Sequence, residues 1–214
     1  MFRFFIFLFS FYISFAQNDF NQNREKEGYW VGYHKNGTMK YEGHFMQDKE
    51  VGVFNYYDDN GNILVKLTYV DPGIMSEAEV YYANGLIKST GYYLNKEKHG
   101  VWISYNTKKE KISKEQYLHG LLNGDCVYYY DNGVISERYY YNNGLREGAA
   151  EIFYRSGFLN MQGNYDNNKL HGQVIYYYND NNKIESKGQY LMGLKDSVWI
   201  FFSELGDTLN SIDY

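Results

Sequence analysis

The sequence has a single cysteine and a single proline. The lone Cys126 excludes an internal disulfide framework, so stability must come from strand pairing and packing. Because Pro72 stands alone, backbone N–H groups are available for pairing almost everywhere. Aromatic residues make up 20% of the chain and 26 of them are Tyr, which favours strands over helices.

Positive charge is also scarce. The chain has 21 Lys and Arg against 26 Asp and Glu, a formal net charge of −5, and the charges are interspersed without a basic stripe. Proteins that grip phosphate backbones do so with clustered Lys and Arg. The composition therefore argues against nucleic acid as a partner and weakens the case for anionic lipid headgroups.

Motifs that carry catalysis are missing as well. The chain has no H-E-x-x-H, P-loop, nucleophile elbow or cysteine pair. Carboxylates such as Asp58, Asp59 and Asp180 fall in Asn-rich turns without the spacing of a calcium loop. His99 and His171 stand three repeat units apart, which predicts surface turn residues too distant for one coordination sphere. We predict no enzymatic activity, no cofactor and no metal site.

A long apolar run occurs at the start of the chain. Residues 1–16 combine Arg3, an apolar segment over 4–15 and a Ser-Phe-Ala cleavage site, the pattern of a secretory signal peptide. Because Gln17 begins a polar segment, the run falls short of the about 20 residues that a spanning helix needs. We predict cleavage beside Ala16 or Gln17 and export to the periplasm, cell envelope or medium. Removal of Arg3 with no acid would change the net charge from −5 to −6.

The rest of the chain repeats one 24-residue unit, first seen as GYWVGYHKNGTMKYEGHFMQDKEV. The units begin at Gly28, Gly52, Ser76, Gly100, Gly124, Gly148, Gly172 and Ser197. Each interval is 24 residues except the last, which is 25 and has its extra residue within 176–182. Each unit reads as strand, tight turn, strand, turn, and such a unit must stack on its copies to bury a face.

This period predicts an all-β fold, an elongated single-layer antiparallel sheet of about eight successive hairpins. The array fills 28–214 as one unit of structure, and residues 17–27 form a polar lead-in that we expect to be loose. The terminal strands would be exposed edges, with only the charges of residues 24–27 near the first one, so we expect self-association through edge strands.

Asn-Gly pairs such as Asn36-Gly37 predict type I′ hairpin turns, because that turn needs positive φ at both central residues. The fourth unit has Lys108-Lys109 instead and the seventh has Asn181-Asn182, so these hairpins are predicted to have longer or irregular loops. In the first unit the turn predicts the cross-strand pairs Trp30–Gly43, Gly32–Tyr41 and His34–Met39. Across each hairpin, a large side chain is expected to meet a glycine, or two medium ones to meet each other.

Two aromatic rows and one mixed row recur. The mixed row, expected to be buried, contains Trp30, Phe54, Ala78, Trp102, Cys126, Ala150, Val174 and Trp199. Its register predicts that Cys126 is a small buried hydrophobe and not a reactive thiol. A closing row ends the second strand at Phe45, Tyr69, Tyr93, Tyr117, Tyr141, Tyr165, Tyr190 and Tyr214.

The third row precedes the turn, and strand alternation places it on the face opposite Trp30. It consists of Tyr33, Tyr57, Tyr81, Tyr105, Tyr129, Phe153, Tyr178 and Phe202. Such a row is our candidate partner-binding site, because exposed aromatics stack on sugar rings or bury a partner's apolar side chains. The alternative is that these rings only pack between neighbouring hairpins.

The pattern GxWxxYxxNG, followed by xxxxxGxY and a turn ending in glycine, resembles the MORN repeat over residues 28–214. It is most similar to the variant repeat of bacterial proteins, some of which are labelled antitoxin-like. That resemblance implies an elongated sheet of hairpins that serves as a scaffold or docking surface, with membrane association proposed for some members. The chain departs from the pattern at Ser76 and Ser197 and at Ala78, Cys126 and Ala150, which puts a shared ligand groove in doubt.

Two functions remain open at this stage. The first is an exported, non-enzymatic scaffold that docks a protein or peptide through the pre-turn aromatic row. The second is an envelope protein, carbohydrate-binding or structural, that uses the same Tyr ladder on glycans. The antitoxin label fits poorly with export, because a classical antitoxin neutralises its toxin in the cytoplasm.

Overall fold

A computed structural model describes residues 17–214. The predicted signal peptide at 1–16 lies outside the described residues. Every regular element in the described part is a β-strand, and antiparallel pairing between strands close together along the chain forms one open sheet. The all-β prediction of successive hairpins is therefore confirmed. Residues 17–214 contain no helix long and apolar enough to cross a membrane.

The sheet has 19 strands. The first nine are β1 (Asp19–Phe20), β2 (Lys26–Tyr33), β3 (Met39–Met46), β4 (Lys49–Tyr57), β5 (Ile63–Asp71), β6 (Met75–Tyr81), β7 (Ile87–Leu94), β8 (Glu97–Tyr105) and β9 (Lys111–Leu118). The others are β10 (Leu121–Leu122), β11 (Gly124–Tyr129), β12 (Ile135–Asn142), β13 (Leu145–Phe153), β14 (Leu159–Asp166), β15 (Lys169–Leu170), β16 (Gly172–Tyr177), β17 (Ile184–Leu191), β18 (Leu194–Phe202) and β19 (Thr208–Asp213).

Three of these strands go beyond the sixteen of eight simple hairpins. β1 belongs to the N-terminal lead-in. β10 and β11 both pair with β9 and are separated only by Asn123, so they are one interrupted strand. β15 and β16 are interrupted in the same way at His171 along β14.

The register of the first hairpin is as predicted near the core and different near the turn. Trp30 pairs with Gly43 and Gly32 with Tyr41, but Tyr33 pairs with Met39 where His34 was predicted. The reason is the turn type, because the Gly37 N–H donates to the His34 carbonyl at 3.0 Å and Gly37 has positive φ while Asn36 does not. This is a type I turn followed by a glycine in the left-handed region, so the type I′ prediction is wrong here.

Turns with two positive φ values occur instead between units. Gln47 and Asp48 have φ of 51° and 63°, and Asn167 and Asn168 have 48° and 68°. Within the fourth unit Lys109 takes the left-handed position at φ 66°, and that hairpin has the ordinary loop, contrary to prediction. The seventh loop is longer by one residue, as predicted.

The mixed row and the closing row share one face, which we call the core face. Trp102, Trp199 and Val174 are at most 1% exposed there, and the closing rings pack edge-on against the row, with Tyr190 and Trp199 centred 5.4 Å apart. Cys126 is fully buried as a free thiol, as predicted, and burial raises its pKa.

Size complementarity on the core face is present across the first hairpin, as predicted, because a Cβ added to Gly32 would overlap the ring of Tyr41 opposite it. It also operates between units, which was not predicted. A Cβ added to Gly91 would lie 2.4 Å from the ring of Trp102, which belongs to the next unit. Gly188 has the same relation to Trp199. In the third unit the small Ala78 occupies the position of Trp102, and the larger Leu67 lies directly opposite it at the position of Gly91. Large rings therefore lie over glycines, and small residues face larger ones.

The N-terminal lead-in covers the first edge of the sheet, so the prediction of a loose segment and a charge-guarded edge is wrong. Asp19 and Phe20 pair with β2. The Asn18 side chain accepts from the Val31 N–H at 2.8 Å and donates to the Val31 carbonyl at 3.1 Å. The ring of Phe20 meets Trp30 edge-on at 5.0 Å. Backbone groups of β2 that would attract another strand are thereby paired.

β19 is different, because in the described part of the chain it pairs only with β18 and all six of its residues are exposed. We expect the protein to self-associate through this strand, so that its weight-average mass in sedimentation rises with concentration. Leu209→Lys should reduce that rise, since an edge lysine opposes strand addition. Leu205→Lys, in the exposed turn, is the control that should not. A constant mass up to high concentration would contradict this expectation.

Candidate functional site

The pre-turn row lies on the face opposite the core face, which we call the outer face. Tyr57 donates its hydroxyl to Glu42 at 2.6 Å. Glu42 pairs with Val31, which follows the buried Trp30 in β2, so the Glu42 side chain lies on the face opposite Trp30. Seven of the eight predicted members end the first strand of their hairpin at the register shift. They are Tyr33, Tyr57, Tyr81, Tyr105, Tyr129, Phe153 and Phe202.

Tyr178 is not a member, and Tyr177 takes its place. Tyr177 pairs with Ile184 as Phe153 pairs with Leu159. Tyr178 is instead the first residue of the loop, where its N–H donates to the Lys183 carbonyl at 2.9 Å. The additional residue of the seventh unit lies after the strand, because the loop can lengthen without breaking the sheet whereas the strand cannot.

The rings of the row are partly accessible. Tyr33 is 57% exposed and the other members are half-buried. Successive members are two strands apart, so they repeat every roughly 10 Å along the sheet. Exposed Val53, Val101 and Val198 lie on the same face by strand alternation. The outer face thus presents a periodic strip of aromatic and apolar side chains, whose apolar area is larger than that of isolated exposed residues.

The hydroxyls of the N-terminal members are held by carboxylates. Glu42 accepts from Tyr29 at 2.5 Å, from Tyr57 at 2.6 Å and from Asn55 at 3.1 Å. These hydrogen bonds lower the pKa of Glu42, while the Glu42 bond and burial raise the pKa of Tyr29 to about 12. Tyr81 donates to Glu79 at 2.8 Å in the same manner. At neutral pH these are neutral phenols fixed by charged carboxylates.

The C-terminal members lie beneath cations instead. The guanidinium of Arg138 is 5.3 Å from the centre of the Phe153 ring and bonds Glu151 at 2.9 Å. The ammonium of Lys187 is 5.5 Å from the Phe202 ring. These are cation–π distances. Carboxylates thus hold the Tyr57 and Tyr81 hydroxyls and cations lie over the Phe153 and Phe202 rings, while Glu79 is itself paired with Lys66 at 3.0 Å.

The Glu42 cluster gives a pH-dependent prediction. Its pKa in the folded chain lies below the ordinary value of 4.5, so its stabilisation is complete above about that pH and is lost as the pH falls through the folded value. Glu42→Gln should lower the free energy of unfolding by about 1 kcal/mol at pH 7 through weaker hydrogen bonds, and by less at pH 3. Urea unfolding at the two pH values measures this. The exposed Glu97→Gln is the control, and an equal loss at both pH values would count against the account.

Sequence reasoning missed a second tyrosine row at the turns. Tyr82 donates its hydroxyl to the Tyr105 carbonyl at 2.8 Å, and Tyr130 donates to the Phe153 carbonyl at 2.8 Å, in each case one unit further along. Tyr178 does the same to Phe202 at 2.7 Å. The signal was the paired aromatics that precede these turns in the sequence. These bonds tie successive hairpin ends together, so this row is structural.

The two histidines predicted to be surface turn residues are not. His99 lies within β8 and His171 between β15 and β16, both half-buried, and in each the Nδ1 atom is buried without a hydrogen-bond partner. In the part of the chain that the structure describes, no three His, Cys, Asp or Glu side chains come together in an arrangement that could hold a metal ion.

The MORN repeat variant family matches residues 26–47, 50–71 and 122–143. The chain therefore contains MORN repeats of this variant in these three segments. The first two matched segments cover the hairpins β2–β3 and β4–β5, and the third contains β11–β12. The other hairpins of this chain follow the same register, with a bulge before each turn and an aromatic residue at the bulge.

Two solved structures that match this chain are of TarM. A mutant of S. aureus TarM, in complex with fondaparinux, alpha-GlcNAc-glycerol and UDP, is 11% identical with a TM-score of 0.34, over 45% of this chain and 19% of that one. A second TarM structure is 11% identical with a TM-score of 0.32, over 44% and 20%. This chain therefore spans about a fifth of those proteins, and at such scores the likeness supports no argument. No curated protein matches the chain.

Proposed function

We propose that this MORN-repeat protein is an exported scaffold without enzymatic activity, which docks a protein or peptide partner on its outer face. The repeat family supports the scaffold role, because stacked units form an extended surface that a partner can follow. The apolar segment and Ser-Phe-Ala site of residues 1–16 support export.

The observation that carries the docking proposal is the pre-turn row itself. Tyrosine and arginine dominate the energetics of protein interfaces, since they bury a large area with few rotatable bonds. Here the rings stand at the ends of paired strands, and the hydroxyls of Tyr57 and Tyr81 are already held by Glu42 and Glu79. Because the sheet already orders these side chains, little conformational entropy is lost when a partner binds them.

The charges beside the row indicate the chemistry of such a partner. Glu79 is paired with Lys66 and Arg138 with Glu151, so two of the charges beside the rings are already matched within the sheet. A segment with mainly apolar side chains is complementary to this arrangement.

The test is recovery of partners by the purified protein from envelope and culture-medium fractions. A variant with Tyr81→Ala, Tyr105→Ala and Tyr129→Ala should recover at least tenfold less of any partner that the wild type enriches, because three central rings are removed. The control replaces the exposed Leu121, Leu145 and Leu194 by Ala, away from the row. Circular dichroism checks that both variants fold, and equal recovery by all three proteins would sink the site assignment.

A second candidate function is glycan binding or an envelope structural role through the same row. The observation that favours it is the equal step of roughly 10 Å between rings, which suits a polymer with a regular repeat. Aromatic faces stack on sugar rings. A glycan array read with the wild type and the triple tyrosine variant tests this function. Absence of signal from the wild type removes it.

A further inference from the structure

A cation recurs between aromatic rings on the core face. The ammonium of Lys98 lies 4.4 Å from the centre of the Trp102 ring and 4.6 Å from that of Tyr117. Lys195 lies 4.2 Å from Trp199 and 4.8 Å from Tyr214. Lys26 has the same two contacts in the first unit, at 4.8 and 4.6 Å. Each of these lysines stands two residues before the start of its unit.

The second unit has the rings but reverses the charge. Phe54 and Tyr69 occupy the ring positions, 5.8 Å apart and at 82° to each other. The residue two before the unit start is Glu50, whose side chain is only 15% exposed. A largely buried carboxylate beside aromatic faces is costly unless a cation accompanies it.

The lysine that approaches Glu50 comes from the turn before β8 and stays in solvent. The ammonium of Lys96 is 3.4 Å from Glu50, and its side chain is 76% exposed. Such an ion pair is weak, so another cation can readily replace Lys96 beside Glu50. Glu50 is thus open to exchange of its partner.

A cavity of about 390 Å³ adjoins this carboxylate. Its walls include Glu50, Lys96, Tyr56, Leu67, Tyr69 and Tyr93. Its volume is in the range of roughly 300–1,000 Å³ that is usual for small-molecule sites. Burial raises the pKa of Tyr56 to about 12, so its phenol stays neutral and presents an uncharged ring at physiological pH.

We propose that this cavity binds a small organic ammonium ion, with Glu50 as its counter-ion and the Tyr69 ring in the role that Tyr117 has for Lys98, while Tyr56 and Tyr93 supply the other aromatic walls. The internal lysines show which chemistry this place in the repeat accepts, an alkylammonium group against two aromatic faces. The site is on the face opposite the pre-turn row, so it stands independently of the proposed docking function.

Choline and its uncharged isostere 3,3-dimethylbutan-1-ol are the probes, titrated into the full-length mature protein by calorimetry and by saturation-transfer NMR at low salt. Choline should bind saturably, and the isostere at least about tenfold more weakly, because only choline supplies the charge. Glu50→Gln should weaken choline about tenfold, whereas Lys96→Ala should strengthen it by removing the competing cation. The exposed Glu97→Gln should leave it unchanged.

Glu50→Lys is the decisive variant. It places in the second unit the residue that the first, fourth and eighth units already hold, so it should fold with a melting temperature at least equal to that of the wild type while choline binding is lost. Failure of choline to saturate the wild type would overturn the proposal. So would equal binding of choline by Glu50→Lys, or equal binding of the isostere by the wild type.

Discussion

Gly91→Leu is expected to destabilise the protein by roughly 3 kcal/mol, at the upper end of overpacking costs. A Cβ at Gly91 would lie 2.4 Å from the Trp102 ring. Because Trp102 is 1% exposed, the surrounding side chains prevent its ring from shifting away. The single change Trp102→Ala should cost about 3–5 kcal/mol by leaving a cavity. Urea unfolding followed by circular dichroism measures both losses.

The double variant with Gly91→Leu and Trp102→Ala should be more stable than the sum of these losses predicts, by about 2 kcal/mol, because the leucine fills the space of the ring. It reproduces the pair that the chain already has where Leu67 faces Ala78. Thr90→Leu, on the outer face of the same strand, is the control for adding a leucine to β7. Strict additivity would show that ring and glycine are not complementary.

Arg146→Ala is expected to cost about 2–3 kcal/mol. The Arg146 guanidinium lies 4.2 Å from the Tyr139 ring and 5.4 Å from that of Tyr165, and its Nε donates to the Tyr141 hydroxyl at 3.3 Å. Removing it uncovers two rings and leaves a hydroxyl on the buried Tyr141 without this donor. The free energy of unfolding in urea is the measurement.

Two further variants show whether the cost comes from the core-face cation. Arg146→Lys should retain most of the stability, because lysine occupies the same place beside Trp102 and Trp199. Arg138→Ala removes an arginine from the outer face, where its side chain is 50% exposed and pairs with Glu151, and should cost no more than about 1 kcal/mol. Equal losses for Arg138→Ala and Arg146→Ala would contradict this explanation.

The sequence was a good guide to strands and a poorer one to turns. The pair Trp30–Gly43 followed from the 24-residue period and from the position of Asn36-Gly37. The same dipeptide is compatible with a two-residue turn or with a type I turn and a bulge. The structure has the second, which moves the partner of Met39 from His34 to Tyr33. The dipeptide by itself therefore does not indicate this difference of one residue in loop length.

The candidate site shows the same division. Alternation along the strand placed Tyr57 and Phe202 opposite the mixed row, as the structure does. Tyr177 and Tyr178 were indistinguishable by residue type, and only strand pairing shows which of them ends the strand. Ser197 adopts positive φ at a unit start as the glycines do, whereas Ser76 does not: it pairs with Tyr69, and the register shift of that strand pair lies beyond it, between Tyr69 and Asp71.

The sequence by itself determined the number of hairpins, the two faces of the sheet and the rows of aromatic residues, because a strict period and strand alternation are local properties of the chain. Only the tertiary structure decided that the Trp102 ring lies over Gly91, and that Glu50 stands where other units place a lysine between two rings. These contacts join strands of neighbouring units or opposite ends of a hairpin. They depend on the register shifts, which arise when the strands pair and the sheet twists.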